Sequence, residues 1–330
     1  MSAFPDPSHP LSSQEAEAVF SAMFDGAGTD EEIAAFLIAL ADRGETASEI
    51  AAAARAMRAR MITVRAPEGA IDVSGTGGDG HHTLNVSTAV SLVVAACGVP
   101  VAKHGNRAAS SKAGGADTLE ALGVRLNISP DVAERQLADL GICFLFAQAH
   151  HPVLKRIGPI RKSIGRRTIF NLLGPLANPA NVRRQLIGIA RPAYVPIYAE
   201  ALHELGVDHS LIVSGDEGLD ELSTAGGNDA AEVTMEGIVA MHRIDAADLG
   251  LPHHPTEAIR GGDATYNATA LRRLLMGEQG PYRDAVLLNA AAALLVAGEI
   301  ESLRDGVEEA AEVIDKGLAN ALLNCWIKWT

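Results

Sequence analysis

The sequence predicts an α/β protein with a small all-helical N-terminal domain and a larger domain whose mostly parallel sheet is covered by helices. Two observations support this fold class. The N-terminal part carries only helical periodicity, whereas from Ala70 onward short β-branched runs alternate with amphipathic stretches. Such alternation is typical of parallel strands connected by helices. We therefore expect a helical domain over residues 1–67 and an α/β domain over residues 68–330.

Three helices are predicted in the first domain, at 13–24, 30–42 and 47–61. The second follows a capping residue at Thr29 or Asp30 and ends before a glycine, and the third is rich in alanine. Together they are expected to form the helical domain.

The α/β domain is predicted from five short apolar runs, which read as strands at 70–74, 98–103, 142–146, 185–190 and 210–214. Apolar periodicity predicts a helix over 89–97 and another that begins near Ala116. Residues 244–266 contain Pro252, Pro255 and two adjacent glycines, which predicts an extended connection. Further helices are expected near 267–277, 283–299 and 302–324.

Composition and charge limit the possible classes of function. With 330 residues and 48% hydrophobic content, the chain can bury one large core or two smaller ones. Its net charge of −14 argues against a nucleic-acid-binding surface, because such surfaces are basic. No apolar run reaches the length of a membrane span, and the N-terminus lacks the basic and apolar regions of a signal peptide. We therefore expect a cytoplasmic protein without nucleic-acid or membrane partners.

The segment 103–117 combines basic side chains with glycines directly before a predicted helix. Lys103, Arg107 and Lys112 supply positive charge, and the glycines let backbone N–H groups approach an anion. The positive end of the helix dipole adds to this field. The segment predicts a site for a phosphorylated ligand, although a solvated basic loop has the same composition.

A second glycine-rich loop, residues 75–80, follows the first predicted strand. It contains the G-x-G-x-x-G pattern, but a dinucleotide-binding unit needs an acidic residue about twenty positions later, where this chain has Lys103. Residues 83–88 then supply hydroxyls and an amide at the start of an apolar helix, which favours phosphate binding. Two anion-binding turns on consecutive strands predict a ligand with two phosphate groups.

An acidic segment, residues 214–223, follows a third apolar run. Its carboxylates are expected at the C-terminal end of a strand, the end where open α/β sheets bind ligands. Adjacent Asp220 and Glu221 beside a pyrophosphate favour Mg²⁺, which takes oxygen ligands. From the residues alone, an acidic surface turn is the favoured interpretation.

Together these segments resemble the anthranilate phosphoribosyltransferase family, and the similarity extends over nearly the whole chain. The motifs agree with the family in order and spacing, at 75–79, 85–88, 103–107, 151–152, 161–168, 170–179, 218–223 and 283–293. The resemblance implies a fold of the nucleoside phosphorylase/phosphoribosyltransferase type, in which about 155–177 completes the helical domain. It also implies a homodimer.

The resemblance further implies an enzyme, a glycosyltransferase of tryptophan biosynthesis. The family transfers the 5-phosphoribosyl group from phosphoribosyl pyrophosphate (PRPP) to the amine of anthranilate and releases pyrophosphate. Catalytic roles are implied for Lys103 and Arg161. The implied cofactor is Mg²⁺, with Ser87, Asp220 and Glu221 as its protein ligands.

Two sets of substrate contacts are also implied by the resemblance. The expected PRPP contacts lie in the glycine-rich and basic segments and are Gly75, Thr76, Gly77, Gly78, Asp79, Thr83, Asn85, Ser87, Thr88, Lys103, Arg107 and Ser111. The expected anthranilate contacts are Gly75, His104, Asn106, His151, Arg161 and Gly174. Ala113, Gly115 and Ser214 depart from residues that are frequent in the family; the first two remove hydroxyls near phosphate, which bears on affinity and not on reaction type.

Two other functions are compatible with parts of the pattern. A pyrimidine nucleoside phosphorylase shares the implied fold, but it uses inorganic phosphate and a nucleoside, which Asn106, Arg161 and the acidic pair fit poorly. A nucleic-acid-binding paralogue without this activity should show a basic surface, whereas this chain is strongly acidic.

Overall fold

The computed structural model describes residues 4–108 and 112–329. Its N-terminal helices are α1 (Ser13–Phe24), α2 (Asp30–Arg43) and α3 (Ala47–Arg58). A capping box starts each one, with a Ser or Thr side chain and a Glu three residues later satisfying backbone N–H groups reciprocally. The predicted helices are confirmed, except that the third ends three residues earlier than predicted.

In the described part of the chain, seven strands form a single sheet in the order β3-β2-β1-β4-β5-β6-β7. The strands are β1 (Ile71–Gly75), β2 (Val101–Gly105), β3 (Ile142–Phe146), β4 (Arg184–Gly188), β5 (His209–Gly215), β6 (Gly227–Thr234) and β7 (Gly237–Asp245). The first five pair in parallel, and β6 and β7 add an antiparallel hairpin at one edge. The prediction of a mostly parallel sheet is confirmed.

The hairpin was not predicted from the sequence. Residues 227–234 are mostly small or polar, and the edge strand β7 leaves Ile238, Val239 and Met241 exposed, so neither strand shows a clear apolar alternation. The hairpin forms instead because β6 pairs with the buried strand β5. The extended connection expected over 244–266 is wrong at both ends, because residues 244–245 belong to β7 and residues 264–266 belong to the helix Ala264–Leu275.

The remaining helices are α4 (Val86–Ala96), α5 (Gly115–Leu122), α6 (Pro130–Leu140), α7 (Ala147–His150), α8 (Leu154–Ile164), α9 (Val195–Leu205), α10 (Ala264–Leu275), α11 (Pro281–Ala297), α12 (Leu303–Asp315) and α13 (Leu318–Lys328). The single helix predicted over 302–324 is wrong, because Gly317 has a φ of 71° and separates α12 from α13. Helix α4 begins three residues before its predicted start, which places Ser87 and Thr88 in its first turn.

Hydrophobic cores cover both faces of the sheet. One core joins the sheet to α4 and to the C-terminal helices α10 to α13. The other joins α1 to α3 and α9 to residues from 157 to 177; for example, the rings of Phe20 and Phe170 meet edge to face with centroids 6.4 Å apart. Residues 157–177 therefore share a core with the N-terminal helices, while the exact domain bounds stay a prediction.

None of the helices in the described part of the chain is both long enough and apolar enough to cross a membrane.

Candidate active site

The loops after β1, β2 and β5 converge on a cleft of about 320 Å³ at the C-terminal edge of the sheet. This edge is where open α/β sheets bind ligands. Every predicted PRPP contact that the structure describes lines this cleft, as do Gly75, His104 and Asn106 of the predicted anthranilate contacts and the acidic pair Asp220 and Glu221. Ser111 lies outside the described residues.

Glycines allow the acidic loop to approach the sheet. A Cβ on Gly75 or Gly188 would overlap Asp220, so only glycine fits at the ends of β1 and β4. In turn, the N–H of Gly77 donates to Oδ2 of Asp220 at 2.6 Å. The glycine-rich loop and the acidic loop are thus held together at one point, at the mouth of the cleft.

Lys103 is the buried cation at the centre of this edge. Its Nζ donates to the carbonyl of Val73 on β1 at 2.7 Å and to Oγ of Ser87 on α4 at 3.2 Å. Burial lowers the pKa of Lys103, while the negative charges of Asp72 and Glu221 act in the opposite direction. The ammonium therefore links two strands to the first turn of α4.

Asp72 was not identified from the sequence. It is fully buried on β1, burial raises its pKa, and its Oδ1 accepts from the backbone N–H of His104 at 3.1 Å. A carboxylate inside a predicted buried strand is the signal that could have found it, because buried charges need partners. The positive charge of the buried Lys103, on the neighbouring strand, acts in the opposite direction to burial and lowers the pKa of Asp72.

Asp220 and Glu221 repel each other at the entrance to α4. Oε1 of Glu221 accepts from the N–H of Ser87 at 3.0 Å, whereas its buried Oε2 has no hydrogen-bond partner in the described structure. Burial, and then the neighbouring Asp79, raise the pKa of Asp220; burial, and then Asp220, raise that of Glu221. The positive charge of Lys103 acts in the opposite direction on Glu221, but burial and the neighbouring carboxylates outweigh it.

Two predicted PRPP residues, Arg107 and Thr88, have side-chain environments that the sequence did not reveal. Arg107 is ion-paired with Asp117 and Glu120 on α5, at 2.9 and 2.5 Å. Thr88 has a buried Oγ1 with no hydrogen-bond partner among the described atoms. A Cβ on Gly115 would lie 2.8 Å from that oxygen, so the Thr88 hydroxyl occupies the space of the serine that is frequent there.

His104 and His151 form a buried pair beside the cleft, which His104 itself lines, and Gly174 next to them is exposed. Nδ1 of His104 donates to the carbonyl of Gly174 at 3.0 Å, and the Nε2 atoms of the two histidines lie 3.2 Å apart. Burial lowers the pKa of His104 to about 3 and that of His151 to about 4. Both rings are therefore neutral, and Nε2 of His104 can accept a hydrogen bond from Nε2 of His151.

Arg161 lies on α8, outside the set of described residues that line the cleft. Its guanidinium stacks 5.6 Å above the ring centroid of Phe170 and makes no ion pair or hydrogen bond with the described residues. Burial alone lowers its pKa. Nearby, Arg167 donates from Nη1 to the carbonyl of Gly78 at 3.1 Å, so the segment after α8 does contact the glycine-rich loop.

Two family models match the chain. The helical bundle domain of the glycosyl transferase family matches residues 7–61, and the a/b domain of that family matches residues 67–320. Fold and cleft thus define a glycosyl transferase, in which a helical bundle stands beside an α/β domain.

More specific matches come from single proteins. The anthranilate phosphoribosyltransferase of Novosphingobium aromaticivorans is 72% identical over 99% of both chains. The crystal structure of the enzyme of that name from Thermus thermophilus has a TM-score of 0.93 and 43% identity over 99% of both chains. The enzyme of that name from Saccharomyces cerevisiae, solved in complex with PRPP and Mg, has a TM-score of 0.87 and 28% identity over 96% of this chain and 93% of that one. The chain belongs to the anthranilate phosphoribosyltransferase family.

The buried histidine pair makes the stability of the fold sensitive to acid. Each folded-state pKa, about 3 for His104 and about 4 for His151, lies below the ordinary value of 6.5, so below pH 6.5 the unfolded chain takes up protons that the folded rings reject. We therefore expect the free energy of unfolding to decrease as the pH is lowered below 6.5, by up to about 1.4 kcal/mol per pH unit for each ring. Replacing both rings by asparagine should make this decrease in the free energy of unfolding shallower, as measured by urea unfolding at a series of pH values below 6.5.

The control variant His9→Asn, at an exposed histidine, should show the same pH dependence as the wild type. Identical slopes for the double variant and the wild type would contradict the assignment of two neutral buried rings.

Proposed function

We propose that this chain binds PRPP in the cleft at the carboxyl ends of the strands and transfers its 5-phosphoribosyl group to the amine of anthranilate. The products are N-(5-phosphoribosyl)anthranilate and pyrophosphate, in tryptophan biosynthesis. The observation that carries the proposal is the group formed by buried Lys103, Ser87 in the first turn of α4, and the acidic pair. Backbone donors at a helix start and a buried ammonium are suited to phosphate oxygens.

The predicted metal ligands fit Mg²⁺. Among the described residues, no group of three or more His, Cys, Asp or Glu side chains could hold a metal ion by itself. Mg²⁺ commonly binds one or two carboxylates together with waters and substrate phosphates, so a pair is enough. The unpartnered Oε2 of Glu221 and the raised pKa values of Asp220 and Glu221 support a site here, because a cation would relieve unfavourable charge. We infer that Asp220, Glu221 and the hydroxyl of Ser87 hold it.

Catalysis in this proposal is mainly electrostatic. When bound, Mg²⁺ supplies positive charge to the departing pyrophosphate. Lys103 contributes a second positive charge, and the start of α4 adds the positive end of its helix dipole near the phosphates. The aromatic amine of anthranilate is neutral near pH 7 and already nucleophilic, so the chain needs to align the two substrates more than it needs to remove a proton.

The acceptor site of the proposal lies toward the helical domain. Arg161 lacks an anionic partner in the described structure, and its planar guanidinium can pair with the carboxylate of anthranilate through two hydrogen bonds. His104 and Asn106 line the cleft, and the ring of His104 forms hydrogen bonds with His151 and with the carbonyl of Gly174. These residues, with Gly75, are our proposed anthranilate contacts.

The proposal includes the assembly and location that the resemblance implies. We expect residues 1–67 and about 155–177 to act as one domain, two chains to form a homodimer, and the enzyme to reside in the cytoplasm. The shared core of α1 to α3 with residues 157–177 supports the first expectation. Light scattering coupled to size-exclusion chromatography tests the second.

A fluorescence assay tests the proposed reaction directly. Anthranilate fluorescence should decline when the chain, PRPP and Mg²⁺ are all present, and it should persist when any one of them is omitted. A nucleoside phosphorylase would instead release a base from a nucleoside in the presence of inorganic phosphate. A nucleic-acid-binding paralogue would leave anthranilate unchanged and bind DNA or RNA in a salt-dependent way.

The acidic pair should be essential for turnover. The variant with Asp220→Asn and Glu221→Gln is expected to lose about a hundredfold or more in kcat, because metal-ion stabilisation of a leaving group is worth several kcal/mol. Its melting temperature should stay the same or rise, since burial and mutual repulsion disfavour both charges in the folded state. The neighbouring exposed pair, changed by Asp216→Asn and Glu217→Gln, serves as the control. Equal turnover in the two double variants would refute the metal assignment.

Arg161 should contribute to the binding of anthranilate, the phosphoribosyl acceptor, and not to the binding of PRPP, the phosphoribosyl donor. Arg161→Ala is expected to weaken the use of anthranilate by about 1.5–3 kcal/mol, the range for a hydrogen bond to a charged group, with little change in the KM for PRPP. Lys162→Ala, at the exposed neighbour on the same helix, should leave both values unchanged. Steady-state kinetics with each substrate varied in turn measure both. A loss confined to PRPP would show that the two substrate sites are assigned the wrong way round.

A further inference from the structure

The side-chain amide of Asn85 makes three hydrogen bonds within the protein. Its Oδ1 accepts from Nδ2 of Asn267 on α10 at 3.0 Å and from the hydroxyl of Thr118 on α5. Its Nδ2 donates to the carbonyl of Ala113 at 3.2 Å. An amide oxygen accepts two hydrogen bonds, so this one is fully used within the protein. The amide therefore joins both phosphate-binding segments, the one that starts α4 and the one before α5.

Asn267 is the most remote of these partners in sequence and is 1% exposed. Its own Oδ1 accepts from the backbone N–H of Gly262 at 2.8 Å, so one side chain connects Gly262 to Asn85. It is not among the described residues that line the cleft where we place PRPP. Asn267 therefore acts on that cleft only through Asn85 and through the backbone that it holds.

The backbone held by Asn267 is a strap, residues 259–262, that runs beside residues 82–84. The N–H of Leu84 donates to the carbonyl of Ile259, and the N–H of Gly261 donates to the carbonyl of His82, both at 2.8 Å. A Cβ on Gly261 would lie 2.7 Å from the carbonyl oxygen of Thr83, so a larger residue would push the strap away. This close approach is the physical reason for a glycine at position 261.

The strap holds a segment that would not adopt its conformation by itself. His82 has a φ of 55°, which is uncommon for a residue with a side chain and costs free energy that neighbouring contacts must offset. Directly after it come Thr83 and the start of α4, where the phosphate donors and Ser87 lie. The conformation of residues 82–85 thus sets where these donors point.

We propose that Asn267 is a positioning residue for the phosphoribosyl donor. By fixing the amide of Asn85 and the strap together, it holds the start of α4 and the loop before α5 in the arrangement that binds phosphate. This inference rests on the proposed function, because it concerns the same donor site. It adds a residue on α10 that acts through Asn85 and leaves the acceptor side unaffected.

The experiment compares donor affinity in full-length variants by isothermal titration with PRPP and Mg²⁺. Asn267→Ala removes both side-chain contacts, and Asn267→Asp keeps the acceptor for Gly262 while losing the donor to Asn85. Gln136→Ala is the control, because Gln136 is likewise a buried amide, whose Oε1 accepts from Nε1 of Trp326, far from the cleft. Thermal unfolding of every variant shows that the measurement is made on folded protein.

We expect both Asn267 variants to bind PRPP about tenfold more weakly, the size of effect that loss of one buried hydrogen bond produces. The KM for anthranilate should remain that of the wild type. Combining Asn267→Asp with Asn85→Ala should weaken PRPP binding no further than Asn85→Ala does alone, because the aspartate keeps the contact with Gly262 and has lost only the contact with Asn85. Gln136→Ala should lower the melting temperature without changing PRPP affinity.

Wild-type PRPP affinity in Asn267→Asp would overturn the inference. A double variant with Asn85→Ala whose loss of PRPP binding free energy equals the sum of the two single losses would overturn it too. An equal loss of PRPP affinity in Gln136→Ala would also overturn it, because the effect would then be one of general stability. If Asn267→Ala does not fold, the aspartate variant decides alone. Failure of the wild type to bind PRPP at all would instead refute the proposed function.

Discussion

The buried ammonium of Lys103 is the interaction on which the architecture of the cleft depends. From β2 it reaches across to the carbonyl of Val73 on β1 and to the hydroxyl of Ser87 on α4. The N–H of the same serine donates to Glu221, so one charge organises two strands, a helix start and the acidic loop. A buried ammonium is costly unless hydrogen-bond acceptors and negative charge are near. Here Val73 and Ser87 accept from it, and Asp72 and Glu221 supply the negative charge.

The same arrangement leaves charges that the protein does not neutralise. Burial and mutual repulsion raise the pKa values of Asp220 and Glu221, and Arg161 is a largely desolvated cation without an anionic partner in the described structure. A metal-bound pyrophosphate would offset the first group, and an aromatic carboxylate would offset the second. Unfavourable electrostatics in the free protein thus match, in sign and place, the two substrates of the proposed reaction.

Much of the fold was predictable because its signals are local. Capping residues mark α1 to α3, apolar runs mark the five parallel strands, and the glycine-rich and acidic loops stand directly after strands. What could not be predicted depends on residues distant in sequence. The β6–β7 hairpin forms against β5, and Asn267 meets Asn85 across 182 positions. Arg107 lines the cleft, but the sequence did not reveal that its side chain is ion-paired with Asp117 and Glu120 on α5.

The central claim is that the Lys103 ammonium both organises the cleft and binds the donor. Isothermal titration of PRPP with Mg²⁺ into Lys103→Met tests it most directly, with Lys155→Met, at an exposed lysine, as the control. Methionine keeps the length and apolar stem of the side chain, so the fold should survive, as circular dichroism can verify. The account predicts that PRPP affinity falls about tenfold or more, as expected for loss of a charge-assisted hydrogen bond, while Lys155→Met binds like the wild type. Equal affinity in a folded Lys103→Met variant and the wild type would contradict it.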